Sequence, residues 1–197
     1  MCLWLENGIG AGLMIEGRLI RGATASAGEI GFNEFFPEIP LKQSIFIEGQ
    51  PKCWGDVLSF ANIRNSIKRG IKEGWKTTLK PDAKISDFIQ AVETGDPLAL
   101  FIIQIIGKVV STVCRNLVYT FNPQTLVMSG RLFHQLPMLA DEIRRYLKNS
   151  SLKKPMEAVE IKTSILGQNG MIIGAVALVL EHLFRTSEQK SMHSNTS

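Results

Sequence analysis

The chain has 197 residues, 45% of them hydrophobic and 20% charged, enough for one substantial core or two small lobes of an ordinary globular protein. Its three cysteines, Cys2, Cys53 and Cys114, are widely spaced and form no CxxC or CxC pair, which argues against a disulfide framework or a structural zinc site and for a reducing compartment. The net charge of +4 sits in scattered pairs such as Lys68-Arg69, Arg144-Arg145 and Lys153-Lys154, as on solvated helix faces, and no basic stripe with interleaved aromatics points to nucleic acid.

In chain order, CLWLENGIGAGLMIEGRLIRG reads as strand, glycine turn, strand, tight turn at Glu16-Gly17, strand. Glu6 and the nearby glycines break up any apolar run there, so no signal peptide is predicted. From Phe32 to Lys52 three prolines and aperiodic apolar residues predict a long loop with one short strand, QSIFIE. After Gly55 the apolar stripe Val57, Phe60, Ile63, Ile67, Ile71 predicts a helix capped by Asp56, and Ser86 is the expected cap of a second helix ending near Gly95. Asp96-Pro97 opens the longest helix, with a cap followed by a first-turn proline. Its predicted buried face is Leu98, Phe101, Ile102, Ile105, Val109 and Val113, with Gln104, Lys108, Ser111 and Arg115 opposite. These polar breaks, and Gly107, make it a core helix and not an uninterrupted membrane span.

Asn122-Pro123 ends that helix, and TLVMSG follows as a strand closed by glycine. A helix over Leu136 to Lys148, a strand AVEIKTSI and a closing helix GQNGMIIGAVALVLEHLF, packed through Gly170 and Gly174, complete the predicted fold. The polar segment 186–197 is expected to be a disordered tail to a single domain over 1–185. A hairpin sheet followed by alternating helices and strands predicts an α/β fold with a mixed sheet flanked by helices.

Five segments in this order, GIGAG, RGATASAGEIG, GDPLA, FNPQTLVMSG and the GAVAL helix, resemble the ROK family (repressors, open reading frames and kinases), over nearly the whole chain. That resemblance implies the actin-like ATPase (ribonuclease H-like) fold and a part equivalent to the C-terminal, larger lobe, in which the glycine hairpin follows a smaller lobe carrying a first phosphate loop and the catalytic aspartate. It further implies a homodimer, cytoplasmic and without a membrane anchor, with DNA contact only through an N-terminal helix-turn-helix outside this sequence.

Carried over residue by residue, Asn7, Gly8 and Gly10 match the family's second phosphate loop, although Glu6-Asn7-Gly8 stands where Gly-Thr-Gly is usual. For Gly10 and Gly12, hairpin geometry alone is the favoured reading. Glu29, with Gly28 beside it, matches a glutamate that accepts hydrogen bonds from sugar hydroxyls; a surface glutamate after a turn is the competing reading. The histidine that follows in the family is Phe32 here. Of the family's zinc loop only Cys53 remains, and one thiolate does not make a four-ligand site. The second sugar-binding glutamate is replaced by Gly55, with Asp56 adjacent. Gly130 matches a glycine near the nucleotide, with Ser129 replacing its partner; chain reversal explains Gly130 equally well. His134 and His182 have no partner triad and read as surface or packing residues.

The expected protein is therefore the effector-sensing and dimerisation lobe of a NagC/XylR-like sugar-responsive transcriptional regulator. It is expected to take a small sugar as effector, to use no cofactor and no metal, and to have no catalytic residue of its own. A lobe of an ATP-dependent sugar kinase is the alternative, and a dimerisation scaffold without ligand is the second alternative.

Overall fold

The computed structural model describes the backbone of residues 1–34 and 53–194. The predicted strand QSIFIE and the end of the polar tail lie outside the described residues.

The first two strands, β1 (Cys2–Leu5) and β2 (Ile9–Gly12), form an antiparallel hairpin in which Leu3 faces Ala11 and Leu5 faces Ile9. A second, two-stranded ribbon, β3 (Met14–Ile15) and β4 (Arg18–Leu19), turns through Glu16 and Gly17, both at positive φ, as a two-residue hairpin turn requires. Next come α1 (Trp54–Val57), α2 (Phe60–Lys72), α3 (Ile85–Glu93) and α4 (Pro97–Phe121). The chain then re-enters the sheet as β5 (Thr125–Ser129), crosses α5 (Arg131–Gln135), α6 (Pro137–Lys148) and α7 (Lys153–Ala158), and returns as β6 (Glu160–Thr163) before α8 (Gly170–Ser194).

The main sheet has the order β2-β1-β5-β6. β5 runs parallel to both β1 and β6, while β2 is antiparallel, so the sheet is mixed as predicted. Its core side is set by the two-residue period of the strands: Leu3 and Leu5 on β1, and Leu126 and Met128 on β5, are fully buried. They share one buried cluster with Ile102 and Val109 of α4, Phe88 of α3, Phe133 of α5 and Ile143 of α6.

Asp96 starts α4 with Pro97 in its first turn, and Asn122 ends it in the left-handed conformation at φ 43. This helix is long and apolar enough to cross a membrane by length and composition, and most of its apolar stretch lies inside the fold. Ser111, predicted on its polar side, is buried and donates its hydroxyl to the Gly107 carbonyl at 2.6 Å, so the helix is enclosed on more sides than one stripe implies.

Several predicted boundaries move. The helix expected to begin at Asp56 is two helices, α1 and α2. Asp56 lies inside α1, and Ser59 is the cap of α2, accepting from the Asn62 amide at 3.1 Å. The cap expected at Ser86 is replaced by Lys84, because the helix begins two residues earlier, and Asp87 reaches back to accept the Lys84 amide at 2.9 Å. Helix α8 runs on to Ser194, past the predicted tail boundary at Thr186. Gly170 does sit against the body of the protein, where a Cβ would be 3.5 Å from the Trp4 ring, but Gly174 has nothing within 4 Å, so only one of the two predicted packing glycines packs.

Candidate sugar and phosphate site

β1 and β5 are parallel, so their carboxyl ends lie at one edge of the sheet, the edge at which open α/β folds bind ligands. Of the residues singled out from the sequence, Asn7, Gly8 and Gly130 lie at this edge. Gly130 follows β5 and crosses directly over the end of β1: a Cβ would lie 1.9 Å from the Leu5 carbonyl oxygen, and φ is +113. Only glycine fits, and chain packing alone is reason enough.

Across this junction the hairpin turn is bolted to two helix starts. Glu6 accepts the backbone amide of Arg131 at 2.9 Å through Oε2, and its Oε1 lies 3.0 Å from Arg131 Nε. Asn7 Oδ1 accepts the Phe60 amide at 3.2 Å, at the start of α2. The Arg131 guanidinium stands over the Phe60 ring, 5.8 Å from its centroid. Glu6 is thus held in place by a cation and an amide instead of standing as an unmatched negative charge. Arg131 was not singled out in the sequence, and Phe60 was read only as part of an apolar helix stripe. The Glu6–Arg131 contact joins residues 125 apart in the chain, and no local pattern announces it.

Gly28 and Glu29 lie beside this hairpin. The Ala11 amide donates to the Gly28 carbonyl at 2.8 Å, and a Cβ on Gly28 would be 1.7 Å from the Ala11 carbonyl oxygen, with φ at +96. Gly10 adjoins it, a Cβ there lying 3.9 Å from the Gly28 oxygen. Glu29 then leads into a single 3-10 turn, Ile30–Phe32, its own carbonyl accepting the Phe32 amide at 3.1 Å while its side chain remains exposed. An exposed carboxylate on a turn pinned through its backbone is fixed at its base and open at its tip. That arrangement suits the acceptance of hydroxyl protons.

The same turn contacts α1, where a Cβ on Gly55 would lie 3.2 Å from the Gly31 oxygen. The fold therefore brings position 55 beside the Glu29 turn, but position 55 offers no side chain. Asp56 is exposed on α1, and its carbonyl accepts the Ser59 hydroxyl at 3.0 Å. Cys53, half-buried, precedes α1 and is bridged to Glu34 through the backbone, and Phe32 is exposed. These residues do not supply the donors of the family's zinc loop. Among the described residues no cluster of three or more His, Cys, Asp or Glu is placed to hold a metal ion.

A mixed sheet flanked by helices, with a glycine hairpin at its carboxyl edge, defines a lobe of the actin-like ATPase fold. More particularly, the chain belongs to the ROK family, whose sequence pattern matches residues 1–182. It is 24% identical over 185 residues to a glucokinase from Halalkalibacterium halodurans, covering 91% of this chain and 55% of the relative. It is 23% identical over 188 residues to a xylose repressor from Caldicellulosiruptor bescii, covering 92% of this chain and 46% of the relative. Among solved structures, a ROK family glucokinase from Streptomyces griseus in complex with glucose and AMPPNP superposes with a TM-score of 0.74 at 20% identity, covering 90% of this chain and 59% of that one. The chain spans about half the length of these relatives.

Proposed function

We propose that this chain is the effector-sensing lobe of a sugar-responsive transcriptional regulator. In this reading it takes a neutral hexose, pentose or amino sugar at the Glu29 turn, and works as a cytoplasmic homodimer whose DNA contacts are made by a helix-turn-helix outside this sequence. The observation that carries the reading is the internal occupation of the hairpin. A nucleotide phosphate needs free amides and cations at its loop. Here the carboxylate of Glu6 accepts the Arg131 amide and pairs with its guanidinium, and Asn7 accepts the Phe60 amide. A kinase depends on every member of its constellation, whereas a sensor needs only unequal binding to two states, and loss of phosphate donors leaves that intact. The similarity to a xylose repressor agrees with this reading.

The similarity to glucokinases and the retained Gly8 and Gly10 of the hairpin favour the second reading, a lobe of an ATP-dependent sugar kinase. One titration separates the two. Glucose, xylose and N-acetylglucosamine are titrated into the chain and followed by NMR line shifts, with and without ATP and magnesium. The proposal expects a sugar to bind regardless of ATP, and Glu29→Ala to weaken it by about ten-fold or more, the loss of a charge-assisted hydrogen bond of about 1.5–3 kcal/mol. Sugar affinity unchanged in Glu29→Ala overturns the site. ATP and magnesium that shift the resonances of the Asn7-Gly8 turn and are needed for the sugar to bind overturn the regulator reading in favour of the kinase lobe.

A further inference from the structure

β5 and β6 are parallel, so α6 and α7 carry the chain back to the amino edge of the sheet before β6 begins, the edge opposite the glycine hairpin. Where the end of α6, α7 and the start of β6 meet there is a cavity of about 530 Å³. Its floor is apolar: Leu147 and Val159 are buried, and Met156 and Ile161 half-buried. Its rim is cationic, with Arg144, Lys148 and Lys153 around it and a single lining carboxylate, Glu157. Two of the cations are held in place. Arg144 spans helix and sheet, pairing with Asp141 at 2.7 Å and donating to the Ile161 carbonyl at 3.3 Å, and Lys153 donates to the Lys148 carbonyl at 2.9 Å. The exposed Lys148 ammonium has no ion-pair partner among the described residues.

We propose that this cavity binds a small amphipathic anion, a carboxylate carried on an apolar body, as a second ligand besides the sugar. The volume lies within the roughly 300–1,000 Å³ of small-molecule sites, and an apolar floor with a few polar groups at its rim is their usual make-up. Charge selects the sign of the ligand. Three cations against one carboxylate attract an anion, and each cation has donors beyond those it uses within the chain. A groove of similar size beside α3 gives the contrast: Lys80 and Lys84 there are matched by Asp82 and Asp87, so it selects no sign. The edge strand decides for a small molecule over an added peptide strand. β6 is the outer strand of its sheet, and its Glu160 and Ser164 amides turn inward to the Gln124 and Met128 carbonyls. The carbonyl of Ile161 between them is already taken by Arg144, which closes the edge to backbone pairing and leaves the floor and the cations available. The apolar body of the ligand covers the floor while its carboxylate stays at the wet rim.

The probes are octanoate, octanol and octyltrimethylammonium, each below its micelle-forming concentration, titrated into the isotope-labelled chain and followed by NMR. Octanoate is expected to shift the Met156 and Ile161 methyl resonances saturably, with a Kd below about 1 mM. Octanol is expected to bind about ten-fold more weakly or worse, and octyltrimethylammonium to leave these resonances in place. Lys148→Glu reverses a charge at an exposed position, and is expected to weaken octanoate by about ten-fold or more while octanol affinity and the urea midpoint stay unchanged. Glu29→Ala is expected to bind octanoate as wild type does, which keeps failure of the sugar site distinct from failure of this one. Equal affinity for the three octyl probes would mark a merely greasy surface and overturns the inference. So do octanoate shifts that do not saturate by about 10 mM, or a Lys148→Glu chain that binds octanoate as tightly as wild type. Wild-type chain is expected to stay in solution when phosphatidylglycerol vesicles are sedimented; co-sedimentation that Lys148→Glu abolishes overturns the free ligand in favour of a membrane surface.

Discussion

Replacing Asp96 with alanine removes the polar centre on which α3, α4 and the segment between α2 and α3 meet. Asp96 is buried, and its carboxylate accepts the Leu98 and Ala99 amides at 3.1 and 3.0 Å, capping α4. It also accepts the Thr78 amide at 2.6 Å and the hydroxyls of Thr77 and Thr78 at 2.9 and 3.0 Å. Loss of the cap costs about 1 kcal/mol. Donors left without an acceptor around residues 77 and 78 add about 1–3 kcal/mol. The sum of about 3 kcal/mol lowers the melting temperature of a domain of this size by roughly 10 °C.

The same group gives the fold a pH dependence of known sign. Burial pushes the Asp96 carboxyl up, but the amides of Thr78 and Ala99 and the two threonine hydroxyls outweigh it and hold the carboxyl below the ordinary aspartate range. A carboxyl depressed in the folded state binds its proton more readily in the unfolded chain, so its stabilisation is complete above the unfolded value of about 3.9 and disappears as pH falls through the folded value. Urea unfolding monitored by circular dichroism between about pH 7 and pH 3 is the assay. Wild type should lose stability steeply on acidification, and Asp96→Asn, which keeps the shape but not the charge, should show a shallower slope. A loss below about 1 kcal/mol in Asp96→Ala, or equal slopes for wild type and Asp96→Asn, refutes the assignment of Asp96 as the centre of this network.

Two further outcomes follow from contacts at the hairpin and in the core. Gly28→Ala would set a Cβ 1.7 Å from the Ala11 carbonyl at a φ of +96, and should cost about 2–3 kcal/mol in urea unfolding, whereas Gly10→Ala, with its nearest neighbour at 3.9 Å, should stay within about 1 kcal/mol; equal effects would show that the Glu29 turn is not pinned on β2. The Cys114 thiol is fully buried and its pKa is pushed up to about 12 by burial, so in the native protein near pH 8 iodoacetamide should label Cys53 well ahead of Cys114, and modification of Cys114 before unfolding would refute its burial.

Much of the architecture was legible because it is local. Asp96-Pro97 and Asn122-Pro123 mark the ends of α4 through backbone chemistry that acts within a few residues, and the alternation in CLWL and TLVMS sets which side of each strand faces the core. The Glu16-Gly17 turn was readable for the same reason. Boundaries failed where two local signals competed: Asp56 and Ser59 both cap well, and the break between α1 and α2 selected Ser59. The order of the motifs was enough to place the chain in its family. What only tertiary structure decided is the state of the charged groups and of the closing helix. Glu6 reads in sequence as a lone carboxylate in a phosphate loop, and its partner Arg131 lies across a parallel strand pairing that no local period encodes. The apolar stretches of α4 and α8 look alike as strings of residues, yet one is wrapped by α2, α3 and α6 while the other, among the described residues, is covered in part by Trp4 and by Arg18, Leu19 and Arg21. Burial is a property of what the chain brings to each surface from a distance, and sequence periodicity records only which surfaces are able to accept it.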